Sequence, residues 1–137
     1  MSTSWDESLA IGNAVIDDDH RSMMALINAL EAAAAADDID CDEVGRTLYA
    51  LASLCHDHFD REEALQLSVG YPDYEAHRVG HDMLRRRLDS ASAHYRQACS
   101  EVRSGMVRTL GDSLATWLVR HIVRTDVELK PFVSGSH

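Results

Sequence analysis

The 137-residue chain has no apolar run approaching the roughly 20 residues needed to cross a bilayer. Its opening, MSTSWDESLA, also lacks the basic start and apolar stretch of an export signal. A cytoplasmic protein is therefore expected. Positive charge is scarce, with 13 Lys and Arg against 23 Asp and Glu and a net charge of −10. That balance argues against nucleic acid and anionic membrane as partners, since both select clustered Lys and Arg. The one basic run, Arg85, Arg86 and Arg87, is expected on a solvated helix face. Cys41, Cys55 and Cys99 are odd in number and widely spaced, without a CxxC. Neither a disulfide framework nor a thiolate zinc site is suggested, and a reducing compartment fits. The polar terminus from Ser134 to His137 is set aside as a flexible end or an added remnant.

Proline is also rare, at Pro72 and Pro131 only, while Ala, Leu, Arg and Glu fill the stretches between turn signals. This composition favours helices. The punctuation divides the chain into an irregular arm, 1–16, four helices near 17–36, 42–69, 73–99 and 104–126, and a tail, 127–137. Short connections make this a single all-α domain, an antiparallel up-down-up-down four-helix bundle. Asp42 is expected to cap the second helix, and Gly70 with Pro72 to separate the second from the third.

Steps of three and four residues keep side chains on one helix face. The first helix gives Ile16, His20, Met23, Ile27, Leu30 and Ala34. The second gives Leu48, Leu51, Cys55, His58, Glu62, Leu65 and Val69. The third gives His77, His81, Leu84, Leu88, Ala91 and Tyr95, and the fourth gives Val107, Leu110, Leu114, Trp117 and His121. In every stripe the only strongly polar members are His or Glu. Burying such groups without partners costs about 1 to 3 kcal/mol each, and far more for an unpaired charge. A bound metal offsets that cost.

His58 with Glu62 and His77 with His81 are i, i+4 pairs that stack on one side of a helix. A single such pair is a weak signal, and satisfied core histidines are the ordinary reading. Residues from four helices placed at one level of one core are harder to ascribe to accident. The rival pair His56 and Asp60 lies on a more polar face with Tyr49, Ser53 and Glu63 and is assigned to solvent, as is His94. Cys55 is read as a small apolar filler. His121 and Asp126 are five apart, roughly 140° around an undistorted helix, so they converge only if the fourth helix unwinds or bulges between Val123 and Asp126.

Imidazole with carboxylate suits Zn, Fe, Ni or Cu, and without thiolates the usual structural zinc pattern is missing. The HxxxH reads His77, Arg78, Val79, Gly80, His81, lacking the Glu that a zincin protease uses as base. His20, His58, Glu62, His77, His81, His121 and Asp126 exceed what one ion takes. Two ions sharing Glu62 and Asp126 as bridges are the natural arrangement. Five imidazoles, two bridging carboxylates and one bridging oxide or hydroxide then fill all but one position of two octahedra. A redox-active pair with one vacancy in a dry pocket suits end-on O2.

These residues resemble the hemerythrins, in particular the bacterial single-domain forms. The resemblance rests on Trp5, Ile16, Asp17, His20, His58, Phe59, Glu62, Glu63, Gly70, Tyr71, Pro72, His77 and His81. It continues through Trp117, Leu118, Val119, His121, Ile122, Thr125, Asp126, Pro131 and Phe132, spanning nearly the whole chain. It implies two non-haem irons with an oxo or hydroxo bridge, one held by His77, His81 and His121 and the other by His20 and His58. Glu62 and Asp126 would bridge, and O2 would bind the iron with two histidines. By the same resemblance Phe59, Trp117, Leu118 and Ile122 would line an apolar oxygen pocket. Asp19, Gln66 and Gly80 depart from the family's usual Gln, Met and acidic residue, and none is a ligand. Gln66, one turn beyond Glu62, is placed to alter hydrogen bonding around the ligands.

The function this implies is reversible O2 binding by a monomeric carrier, store or supplier that is not an enzyme. An oxygen, redox or nitric oxide sensing module is the alternative, and a di-iron peroxidase or oxidase the third. The absence of an output domain favours the stand-alone role. Oxygen-activating bundles use Glu-rich ligand sets with ExxH motifs, whereas neutral imidazole dominates here.

Overall fold

A computed structural model of the chain describes residues 5–100 and 104–134. Expectations for the side chains of Cys99, Leu110 and Ser134 and for residues 135–137 lie outside what it describes. Every regular element among the described residues is a helix, without strands. The principal helices are α1 (Ala14–Ala35), α2 (Cys41–Ser68), α3 (Tyr74–Ser100) and α4 (Ser104–Arg120). A π turn (His121–Thr125), a 3-10 turn (Asp126–Leu129) and a short α5 (Lys130–Ser134) continue from α4 without a break.

The four long helices form a ring in which α1 packs on α2 and α4, and α3 on α2 and α4. α2 is 28 residues long and α3 27, roughly 40 Å each at 1.5 Å per residue. The connection between them, 69–73, is too short to do anything but reverse the chain, so they run antiparallel. The fold is a four-helix bundle, and the predicted stripes form its core. Ile16, His20, Met23, Ile27, Leu30 and Ala34 of α1 are all buried, as are Leu48, Leu51, Cys55, His58 and Glu62 of α2. His77, His81, Leu84, Leu88 and Ala91 of α3 join Val107, Leu114 and His121 in the same interior.

Several boundaries move for identifiable reasons. α1 starts within the expected arm, because the Asn13 side chain accepts the Ile16 N–H and caps the helix early. The cap of α2 is Asp40 rather than Asp42, its carboxylate accepting the N–H groups of Asp42 and Glu43. α2 ends as expected at Gly70, whose φ of +66° suits glycine. The Gly70 N–H bonds to Leu67 C=O and the Tyr71 N–H to Gln66 C=O, closing the last carbonyls in a Schellman motif. Residues 127–134 of the expected tail are instead helical. Pro131 is the second residue of α5, within the first turn, where proline is tolerated.

Cys41 is disulfide-bonded, which corrects the expectation from cysteine count and spacing. Cross-linking follows tertiary proximity, which neither count nor spacing reports. Cys55 is free and buried, and burial pushes its thiol up to about 12, as befits an apolar filler.

A second apolar cluster, Ile11, Ile16, Tyr71, Leu129 and Val133, closes the bundle where α1 begins and α2 ends. The buried Asp17 carboxylate fixes the arm there by accepting the Ile11 N–H at 2.8 Å and the Gly12 N–H at 3.2 Å. Away from this seal, a methyl group added at Gly80 in α3 would meet nothing within 4 Å. Gly80→Ala is therefore expected to stabilise the protein by about 1 kcal/mol, read as a rise in Tm. A fall would show that α3 needs its local freedom.

Candidate metal centre

His20 lies near the start of α1, His58 and Glu62 in the second half of α2, His77 and His81 in the first third of α3, and His121 just beyond α4. Antiparallel packing brings those positions to one level. Asp126 joins them through the π turn, in which its backbone N–H bonds to His121 C=O five residues back. The wider turn carries Asp126 to the His121 side, with Asp126 Oδ1 2.8 Å from His121 Nε2. The bulge expected from the five-residue separation is thus present, spanning His121–Thr125.

All seven side chains are buried. They form two groups whose potential ligand atoms lie within 4.8 Å of one another, namely His77, His81, His121, Glu62 and Asp126, and His20, His58, Glu62 and Asp126. Both carboxylates belong to both groups. His20 Nε2 is 2.9 Å from Asp126 Oδ2 and His58 Nε2 is 3.2 Å from Glu62 Oε2. His77 and His81 place Nε2 3.0 and 3.1 Å from Glu62 Oε1.

Despite these approaches, Glu62 Oε1 and Oε2 and Asp126 Oδ2 make no hydrogen bond. The Nε2 atoms of His20 and His58 also face each other at 3.1 Å, as do those of His81 and His121. Five imidazole nitrogens and two carboxylates thus surround one interior space and leave carboxylate oxygens orphaned. Buried polar groups are otherwise paired. Cations among these donors would satisfy them, so the residues fit metal.

Electrostatics agree. Burial by itself would depress the imidazoles, but Asp126 and Glu62 override it and hold His20 and His77 at about 9 and His58 at about 10. Burial would raise the Glu62 carboxyl, and so would the neighbouring Asp126 charge, yet the His20, His58 and His77 imidazoles hold it well below the usual range. Asp126 is likewise held low against its burial, chiefly by His121. The cluster is a nest of mutually compensating charges that protons and metal ions compete to fill.

Outer contacts orient three of the rings. His58 Nδ1 is 3.0 Å from Asp19 Oδ2, and His81 Nδ1 is 2.9 Å from Glu63 Oε2. Gln66 lies 2.5 Å from His77 Nδ1 through its Nε2, while its buried Oε1 has no partner. Turning the amide over lets Oε1 accept the Nδ1–H and satisfies both groups. Glu63, expected in solvent, is therefore a support for His81. The basic run is not simply solvated either, since Arg85 donates to Glu63, Asp60 and Asp82 and Arg87 lies 4.4 Å over Trp117. His56 stays outside the cluster, pairing with Asp89 at 3.4 Å, and His94 is exposed.

Of the four expected pocket residues, Phe59, Leu118 and Ile122 are fully buried, and Trp117 is partly buried against the same core. Phe59 stacks on His81 with ring centroids 4.4 Å apart and meets His121 edge-on at 5.9 Å. Phe59 therefore sets an apolar ring against two of the imidazoles.

The fold and this cluster define an all-helical bundle able to hold metal through histidine and carboxylate. Comparison with known proteins narrows the class. The profile of the Hemerythrin HHE cation binding domain matches residues 12–133, and the chain belongs to the hemerythrin family. It is 30% identical over 119 residues to the bacteriohemerythrin of Methylococcus capsulatus, covering 87% of this chain and 86% of that one. It is 31% identical over 118 residues to the bacteriohemerythrin of Stenotrophomonas maltophilia, covering 86% and 72%. A crystal structure of wild-type hemerythrin superposes with a TM-score of 0.78 at 28% identity, covering 97% of this chain and 98% of that one.

Proposed function

We propose that the chain, acting as one hemerythrin-like domain, binds O2 reversibly at a pair of non-haem irons and serves as carrier, store or supplier. The observation that carries this reading is the unequal division of donors. One group offers three imidazoles and the two carboxylates, the other two imidazoles and the same carboxylates. If Glu62 and Asp126 were shared by two ions, the first group would offer its ion more donors than the second, leaving room for O2 at the second. Ferrous iron there would supply the electrons that make O2 uptake possible and reversible.

The protein's own part is to hold and to exclude. His77, His81 and His121 would hold one ion, and His20 and His58 the other. Phe59, Leu118 and Ile122 would supply the apolar lining that excludes water, with the partly buried Trp117 packed against the same core. The donor set also argues against an enzyme: five neutral imidazoles offer less anionic charge than a Glu-rich site, so highly oxidised iron is poorly stabilised.

The test is the visible spectrum of anaerobically reduced, iron-loaded protein as O2 is admitted and then withdrawn. Bands that appear and vanish with the gas are expected. An irreversible move to the oxidised spectrum would favour a redox sensor or peroxidase instead.

A further inference from the structure

One imidazole in each candidate group is backed by a carboxylate that an arginine holds in turn. In the two-histidine group the chain runs from His58 Nδ1 to Asp19 Oδ2 at 3.0 Å. Arg61 then grips Asp19 with a fork, Nε to Oδ2 at 2.9 Å and Nη2 to Oδ1 at 2.8 Å. His20 Nδ1 is buried without a partner, so His58 is the ring of this group whose donation can be adjusted from outside. In the three-histidine group His81 Nδ1 meets Glu63 Oε2, on which Arg85 Nη2 donates at 2.7 Å. Arg85 is shared, for it also donates to Asp82 at 2.8 Å and Asp60 at 3.0 Å.

A carboxylate that accepts an imidazole N–H pulls its proton and makes the ring a stronger donor to metal. Stronger donation favours the oxidised metal. A guanidinium on the same carboxylate takes up part of that negative charge through charge-assisted bonds and relaxes the pull. Both Asp19 oxygens are engaged by Arg61, whereas Glu63 competes with two other carboxylates for Arg85.

We propose that Arg61 and Arg85 are positioning residues that restrain electron donation by His58 and His81, Arg61 more strongly because its fork serves Asp19 alone. Neither guanidinium touches the metal space. The inference rests on the metal reading above and goes beyond it by assigning a redox-setting role to side chains at the surface of the bundle.

The experiment is an anaerobic redox titration of the iron-loaded wild type, Arg61→Gln, Asp19→Asn and the double variant, after iron content has been measured for each. Arg61→Gln is expected to lower the midpoint, by roughly tenfold in the oxidised-to-reduced ratio, about 59 mV for a one-electron step. Asp19→Asn is expected to raise it. The double variant should follow Asp19→Asn, since Arg61 acts only through that carboxylate. Arg85→Gln should shift the midpoint in the Arg61→Gln direction by less. Arg61→Lys, which keeps the charge but not the fork, should fall between wild type and Arg61→Gln and serves if Arg61→Gln folds poorly.

A second readout uses the zinc-loaded proteins, in which the Nδ1 proton of His58 should move downfield in Arg61→Gln. Shifts of the same sign for Arg61→Gln and Asp19→Asn, or none with iron content intact, would overturn the proposal while leaving the metal reading standing. Failure of the wild type to take up iron or zinc would overturn both.

Discussion

Replacing Asp126 by Ala is expected to empty both metal sites at once. Asp126 is fully buried and belongs to both donor groups. Its Oδ1 lies 2.8 Å from His77 and His121, and its Oδ2 2.9 Å from His20. Losing an outer partner of a ligand typically costs 10 to 100-fold in affinity, and loss of a shared bridge is expected to exceed about 100-fold for both ions. His20→Ala is the informative contrast. His20 belongs to one group only, so that variant should keep the ion held by His77, His81 and His121. Iron content by elemental analysis, with far-UV circular dichroism to confirm folding, distinguishes the cases. Asp126→Ala that still binds two ions would mean the carboxylate bridges nothing.

Metal loading is expected to raise stability steeply, and pH should act in opposite senses on the loaded and metal-free proteins. At a free concentration about 1,000 times Kd, each site adds about 4 kcal/mol. For a chain of this length about 1 kcal/mol moves Tm by roughly 3 to 4 °C, so filling two sites corresponds to a rise above about 20 °C. In the metal-free protein, His20, His58 and His77 are held above their ordinary 6.5, at about 9 to 10. Their contribution is complete below 6.5 and is lost as pH rises through about 9 to 10. The depressed Glu62 and Asp126 act the other way, contributing above the ordinary carboxylate range and losing that contribution as pH falls through their lowered values. Metal requires neutral imidazoles, so acid weakens loading and alkali favours it. The difference in Tm between the two forms should therefore widen from pH 6 to pH 9. A difference that narrows would contradict the assignment of these imidazoles as metal donors.

What could be read from the sequence follows from what periodicity encodes. A stripe with steps of three and four is a statement about one helix face, and the interior histidines, Glu62 and the apolar core were all visible in that way. The π turn was legible too, because His121 and Asp126 cannot converge on a regular helix. Contacts between helices through long side chains were not. Glu63 and Arg85 lie off the predicted stripes, yet Glu63 reaches from α2 to His81 on α3, and Arg85 spans from α3 back to Glu63. Asp19 stands out in the sequence only as a departure from the family's usual Gln, and its bond to His58 crosses from α1 to α2. Pro131 by itself does not place the last helix boundary, because proline suits a helix start as well as a stop, and only the chain's course after Asp126 separates them. Asp40 and Asp42 are both competent caps, and the choice turned on which carboxylate could face the first N–H groups.

The most direct test of the account is anomalous diffraction at the iron edge from crystals of the iron-loaded protein. Two peaks are predicted, one among His77, His81 and His121 and one between His20 and His58, with Glu62 and Asp126 touching both. A single peak, or peaks remote from those carboxylates, would contradict the two-metal centre and the oxygen chemistry built on it.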